Sequence, residues 1–174
     1  MSKGKVPLDD LAYELQLLLG ASKIIDTLER YDSQRLADDR KMGNLVNYFK
    51  DSAYVHIRNL YNFFSANTQN DAKVTEYIKG YSFNLTMYRN WKGALHDHAL
   101  HIKAERKNTP RSNAIGGRHL NEMVPDFTND ILKLWQDWID NTTDKTLEKK
   151  LIKILDDAKK ATNDDVDKVT ELLK

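Results

Sequence analysis

Apolar residues recur at helical spacing along almost the whole chain, and this regularity limits its fold more than any other feature. In RKMGNLVNYFKDSAYVHIRNLYNFFS, residues 40–65, they lie three or four positions apart, which places their side chains on one face of an α-helix. No stretch shows the alternation of apolar and polar residues, or the Asn-Gly turns, that indicate β-hairpins. The sequence therefore predicts an all-α protein.

Proline, glycine and capping residues divide this pattern into separate helices. Pro7 is favoured in a first helical turn, and Ser82 can cap the N-terminus of a later helix. The polar residues 163–165 are expected to separate the last two helices, and residues 109–126, which lack periodicity, are expected to form a loop. The predicted helices span about residues 7–31, 36 or 40 to 65, 71–80, 82–108, 127–139, 147–158 and 166–173.

The number and length of these helices predict an up-and-down bundle of four to five core helices with a C-terminal helical extension. We expect residues 1–141 to form the bundle domain. Residues 142–174 are expected to form an amphipathic extension that packs on the bundle or on a partner. A chain of 174 residues is long enough to bury one core without disulfides or structural metals.

Composition excludes several classes of protein. The 27 Lys and Arg residues nearly balance the 26 Asp and Glu residues, so no overall field draws the chain to nucleic acid or lipid. The absence of cysteine excludes disulfides, thiolate metal sites and a cysteine nucleophile, and it fits a reducing compartment. No stretch approaches eighteen apolar residues, and the first residues lack the apolar core of a signal peptide. We expect a cytoplasmic protein that does not bind membranes.

Titratable side chains lie on the apolar faces of two long helices. His56 is on the apolar face of one, with Arg58 near its margin, and His98 and His101 are on the apolar face of the other, which continues towards Arg106. One prediction is a polar core cluster, a hydrogen-bonded network of these five side chains. The alternative is a metal site formed by the three imidazoles. We favour the network, because spacing alone is a weak indication of a metal site, and we predict no cofactor.

A second set of residues lies on the opposite side of the later helix. Arg89, Asn90 and His96, in RNWKGALH, fit the pattern R-x4-6-H. An imidazole can move the proton of a ribose 2′-OH while a guanidinium holds the phosphate, so such a pair can cleave RNA without a metal. The pair points outward, an orientation that catalysis would tolerate if two copies of the chain bring it into a shared cleft. The alternative is an ordinary solvated face.

Basic residues also gather between positions 103 and 118. Lys103, Lys107, Arg111 and Arg118 can form an edge that contacts the phosphates of RNA. The alternative is a charged surface that faces only water.

The segment His56-Ile57-Arg58-Asn59-Leu60, followed by Phe63-Phe64, resembles the H-x-R-N-L-x-x-F-F segment of bacterial helical proteins of the HEPN-like type. In that family a later helix carries a histidine followed by an arginine five residues on, which His101 and Arg106 match. The resemblance spans roughly residues 42–108. It implies a bundle of four or five helices, frequent dimerisation and, in the active branches, endoribonuclease activity in toxin-antitoxin or phage-defence systems.

Three functions are therefore open. The resemblance implies a homodimeric protein that binds RNA or cleaves it without a metal, with Arg89, Asn90 and His96 matching the nuclease pattern. The second is a non-catalytic interaction module, which binds a protein partner and whose buried His/Arg network fixes the register of its helices. The third is a metal-binding bundle similar to the DinB-like family.

Overall fold

The structure, a computed structural model, describes residues 7–31, 40–65, 73–100 and 114–172, without the side chains at 31, 40–44, 97–100, 114 and 121. The predicted all-α class is confirmed, since five α-helices make up most of this part of the chain. In chain order the elements are α1 (Leu8–Tyr31), α2 (Arg40–Ser65), a 3₁₀ turn (Val74–Glu76), α3 (Thr86–Leu100), β1 (Ala114–Ile115), β2 (Arg118–His119), a second 3₁₀ turn (Leu120–Glu122), α4 (Val124–Asn141) and α5 (Lys145–Leu172).

The start of α3 differs from the prediction for a local reason. The helix begins at Thr86 and not at Ser82. The Asn84 side-chain oxygen accepts hydrogen bonds from the Thr86 backbone N–H at 3.2 Å and from its hydroxyl at 2.7 Å. Such an Asn side chain replaces the helical partners that the first N–H groups lack, so the helix starts after it.

α5 is one continuous helix, where the sequence predicted two. The polar residues 163–165 contain neither glycine nor proline, and they lie exposed on its outer side. Thr162 before them is buried, and Val166 and Val169 after them are half-buried at helical spacing. The contact face therefore continues through the polar stretch, and a few residues of modest helix propensity do not interrupt it.

The described part of the predicted loop contains a short hairpin. Ala114 pairs with His119, and Ile115 pairs with Arg118. Gly116 and Gly117 join the strands with φ angles of 60° and 81°. Two consecutive positive φ angles are the geometry of a tight hairpin turn that glycine adopts without strain. The sequence predicted a loop over these residues and did not predict the two short strands.

The core lies between α1, α2 and α4, with α3 packed against α2 and α5 packed against α1. α1 packs against α2 and α5, and α2 also contacts α3 and α4. The indole Nε1–H of Trp135 in α4 donates to the Leu151 carbonyl in α5 at 3.3 Å. None of the described helices has the length and apolar composition that spanning a membrane requires.

Tyrosine hydroxyls connect the elements around this core, and each donates to an acceptor on another element. Burial raises the pKa of the Tyr54 and Tyr61 hydroxyls, and at Tyr61 the Asp130 carboxylate raises it further, so both stay protonated donors. The bonds run from Tyr54 to the Leu120 carbonyl (2.6 Å), from Tyr61 to Asp130 (2.7 Å), from Tyr81 to Asp137 (2.7 Å) and from Tyr88 to Asn62 (2.7 Å).

Candidate functional site

The inner face of α3 determines which of its side chains reach the surface. Tyr88 stacks on Tyr61 of α2 with ring centroids 4.8 Å apart, and Trp91 meets Phe127 of α4 edge-on at 5.9 Å. Leu95 is fully buried on the same side. Because successive helical residues are rotated by about 100°, this packing directs the remaining positions of α3 to solvent.

Arg89, Asn90 and His96 are all exposed on the solvent side of α3, which agrees with the outward placement expected from the sequence. Arg89 and His96 are two turns apart on the same side of the helix, separated by about 10 Å along its axis. A guanidinium N–H of Arg89 donates to the Thr86 hydroxyl at 3.3 Å. The separation suits a substrate that lies along α3, or a cleft in which a second copy supplies one of the two groups.

This surface carries positive charge. The Lys92 ammonium lies 5.7 Å from the centroid of the Tyr88 ring, a cation–π geometry that holds it beside Arg89 and His96. Among the side chains of α3 that the structure describes, the exposed ones include no acid; the side chain of Asp97, which follows His96, is not described. We call these residues the α3 outer face: Thr86, Arg89, Asn90, Lys92, Gly93 and His96.

His56 lies in a different environment, between α1 and α2. Its Nδ1 is 2.7 Å from a carboxylate oxygen of Glu14, and the Asn59 amide donates to both oxygens of that carboxylate, at 3.1 and 3.2 Å. Because a carboxylate only accepts, Nδ1 of His56 carries the proton. The side chains of His56 and Glu14 are 12% and 24% exposed. We call Glu14, His56 and Asn59 the α1–α2 polar cluster.

The predicted polar core cluster is not assembled among the described side chains. Arg58 is half-buried and lies about 200° around α2 from His56, so the two point in nearly opposite directions. Tyr61, which contacts α3, is about 140° from His56. His56 therefore faces α1, away from the α3 side of α2.

Several residues of the predicted polar core cluster lie outside the part of the chain that the structure describes. The His98 side chain is not included, and the other members, His101 and Arg106, belong to residues 101–113, which are not described. Their part in the network or in a three-histidine metal site remains a prediction. Among the described residues there is no group of three or more His, Asp or Glu side chains arranged to hold a metal ion.

Sequence reasoning missed Glu14 and Asn59. Leu11, Leu15 and Leu18 form an apolar face of α1, and Glu14 lies next to it. A carboxylate in that position could have indicated a polar contact with a neighbouring helix. Asn59 follows His56 by one helical turn, which places both on the same side of α2. Neither signal identifies the partner, because the Glu14–His56 contact joins residues 42 positions apart.

Replacing Glu14 with alanine is expected to lower the free energy of unfolding by about 1–3 kcal/mol, because His56 and Asn59 would lose their acceptor in a half-buried place. Urea denaturation followed by circular dichroism measures the change. Glu29→Ala is a matched control on α1: Glu29 pairs with Lys50 at 2.7 Å but is 50% exposed, and we expect a change below about 0.5 kcal/mol. Equal losses in both variants would contradict a special role for the α1–α2 polar cluster.

The predicted basic edge is described only at Arg118. The Arg118 guanidinium lies 2.6 Å from the Asp126 carboxylate in the first turn of α4, and it is 53% exposed. Its charge is therefore partly compensated within the fold. The other three residues, Lys103, Lys107 and Arg111, lie outside the described residues.

Two grooves border α1 and α5, and neither is lined by the α3 outer face. One, of about 690 Å³, lies between the start of α1, Tyr77 and the middle of α5. The other, of about 510 Å³, lies between α1, the start of α4 and residues 159–163 of α5. Lys153 and Asp157, which line the first groove, pair with each other.

Comparison with known proteins identifies no relative. No protein-family model, curated protein or solved structure matches the chain.

Proposed function

We propose that this protein binds RNA and cleaves it without a metal ion, with the α3 outer face as the surface that contacts the substrate. The observation that carries the proposal is the shared exposure of Arg89 and His96 on one side of α3, next to Lys92. A guanidinium and an imidazole are the groups that phosphodiester transfer requires when the ribose itself supplies the nucleophile.

In the proposed reaction His96 accepts the proton of a ribose 2′-OH. The 2′-oxygen attacks the adjacent phosphorus, and the bond from phosphorus to the 5′-oxygen breaks. An imidazolium returns a proton to the leaving 5′-oxygen, so the products carry a 2′,3′-cyclic phosphate and a 5′-OH. Arg89 offsets the negative charge that develops on the phosphate oxygens, and the Asn90 amide can donate to one of them.

The proposal includes a second copy of the chain. Arg89 and His96 are two turns apart on one exposed helix, so a cleft between two α3 outer faces would enclose the substrate better than one face alone. The resemblance of residues 42–108 to HEPN-like proteins supports a homodimer. It also supports a cytoplasmic role as an RNA-cleaving component of a toxin-antitoxin or phage-defence system.

The wild-type protein in excess EDTA is expected to cut single-stranded RNA and to leave 2′,3′-cyclic phosphate and 5′-OH ends. Gel electrophoresis of end-labelled oligonucleotides measures the cutting, and phosphatase sensitivity identifies the ends. An oligonucleotide with a single 2′-deoxy residue at the cut position is the matched control, and it should resist because it lacks the nucleophile. RNA that stays intact, or cutting that EDTA abolishes, would contradict the proposal.

We propose a non-catalytic interaction module as the second candidate. The observation that favours it is the α1–α2 polar cluster, in which His56 already has a structural partner in Glu14. A satisfied polar contact between two helices specifies their register, which is a sufficient reason for a half-buried histidine. The RNA assay separates the candidates, because an interaction module leaves RNA intact.

A further inference from the structure

Three helices meet around the smaller of the two grooves. This groove, of about 510 Å³, lies between α1, the start of α4 and residues 159–163 of α5, and we call it the three-helix groove. Every residue that lines it is described, and the buried ones form its floor: Leu19, Thr128 and Thr162. Sites for small molecules usually have volumes of roughly 300–1,000 Å³, so the groove is large enough to hold one.

The floor of the three-helix groove is apolar, although two of its residues are threonines. The Thr128 hydroxyl donates to the Val124 carbonyl at 2.8 Å, and the Thr162 hydroxyl donates to the Ala158 carbonyl at 2.9 Å. Both bonds stay within one helical turn, so neither hydroxyl proton is available to a ligand. Together with Leu19, the floor can therefore bury an apolar group.

The rim of the groove carries positive charge. Lys23 extends from α1 and Lys159 from α5, so two helices each supply an exposed ammonium group. The one acid among the lining residues is Asp26. Its carboxylate already accepts a hydrogen bond from the Arg30 guanidinium at 2.9 Å and lies 3.7 Å from the Lys23 ammonium. Three cations thus surround a single carboxylate, which favours an anionic ligand.

Other polar residues near the rim agree with this charge. Asn129 of α4 and Asn163 of α5 are exposed, and the N–H bonds of their amides can donate to an anion. Two further acids, Asp126 and Asp164, are close in sequence but do not line the groove, and Asp126 pairs with Arg118 at 2.6 Å.

The larger groove, between the start of α1, Tyr77 and the middle of α5, has a different charge pattern. Lys153 pairs with Asp157 inside it, and Lys150 and Asp9 also line it. Its two cations and two carboxylates balance, so charge does not indicate which ligand it would take.

We propose that the three-helix groove binds a small organic anion. The apolar body of the ligand lies on the floor, and its carboxylate, sulfonate or phosphate group contacts Lys23 and Lys159. This inference does not depend on the proposed RNA cleavage, because no residue of α3 lines the groove. An RNA backbone would match the two lysines but would bring no apolar group to the floor.

The probe that tests this proposal is 1-anilinonaphthalene-8-sulfonate, an aromatic sulfonate whose fluorescence rises when its rings leave water. We expect it to bind the folded wild-type protein at one saturable site, measured by fluorescence titration without denaturant. N-phenyl-1-naphthylamine has the same rings without the sulfonate. It should bind about tenfold more weakly, because it cannot form charge-assisted contacts with the lysines.

The double variant Lys23→Gln/Lys159→Gln assigns the binding to the groove. It removes both ammonium groups, and we expect the Kd for the sulfonate dye to rise about tenfold. Lys149→Gln/Lys160→Gln is the matched control, since it removes two exposed lysines of α5 that line neither groove. It lowers the net charge equally and should leave the Kd unchanged. Melting curves verify that both variants fold.

Each outcome decides the question. Sulfonate-dependent binding that only Lys23→Gln/Lys159→Gln weakens supports the site. Equal weakening by both double variants, or by neither, overturns it, and so does an absence of wild-type binding. Equal binding of the neutral dye overturns the choice of an anion. Displacement of the dye by single-stranded 2′-O-methyl RNA overturns the small ligand in favour of RNA. The cleavage assay in EDTA is separate, so either proposal can fail while the other stands.

Discussion

Replacing His96 with alanine is expected to slow RNA cleavage by about 10²–10⁴-fold, the contribution that a positioned general acid or base usually makes. The imidazole is the group of the α3 outer face that transfers protons in the proposed reaction. Because His96 is exposed, we expect its removal to change the free energy of unfolding by less than about 0.5 kcal/mol. Initial rates on an end-labelled RNA in EDTA measure the effect, and circular dichroism verifies the fold.

His119→Ala is the matched control for this prediction. His119 is also exposed, but it precedes the second 3₁₀ turn, where its backbone N–H donates to Glu122 at 3.2 Å. The substitution should leave cleavage near the wild-type rate. Undiminished cleavage by the His96→Ala variant would remove His96 from the reaction. A similar loss in both variants would indicate a general effect of removing a histidine.

How well the sequence predicted each helix depended on how regularly its apolar residues keep helical spacing. α1, α2 and α4 follow the prediction closely because their apolar residues keep helical spacing over several turns. The buried arc of α2 was predicted less well. Leu45, one of the apolar residues at helical spacing in residues 40–65, is 38% exposed, whereas Tyr54 and Tyr61 are fully buried. α2 contacts α1, α3 and α4, so its buried surface is wider than the single stripe that periodicity identifies.

In the candidate site, too, the sequence predicts features within one helix but not contacts between two helices. The outward direction of Arg89 and His96 follows from their angle to Trp91 and Leu95 on one helix, and the sequence contains that angle. The partner of His56 depends on how α1 and α2 align, and periodicity does not carry that alignment. Periodicity thus indicated that His56 faces inward, but it did not indicate that Glu14 would accept its hydrogen bond.

Replacing Trp138 with alanine is expected to lower the free energy of unfolding by about 3–5 kcal/mol, the largest effect on stability that we predict. The Trp138 ring is fully buried where three elements meet. Its centroid lies 5.2 and 6.2 Å from those of Phe63 and Phe64 in α2, and 5.4 Å from that of Tyr77 beside the first 3₁₀ turn. The cavity left by the indole would remove contacts with all three rings. Urea denaturation measures the loss.

Tyr13→Ala is the matched control, since Tyr13 is an aromatic residue that is 62% exposed on α1, and its loss should cost less than about 0.5 kcal/mol. If Trp138→Ala lowers the free energy of unfolding by less than about 1 kcal/mol, the packing of this ring does not stabilise the core as we predict.

Trp138→Phe keeps the prediction testable if the alanine variant does not fold. The indole Nε1–H is buried without a hydrogen-bond partner among the described residues, and an unsatisfied buried donor costs about 1–3 kcal/mol. Phenylalanine removes this donor and keeps most of the aromatic contact. We therefore expect a net cost below about 1.5 kcal/mol, much smaller than for alanine. Similar costs for Phe and Ala would mean that the indole N–H stabilises the core and that ring packing contributes little.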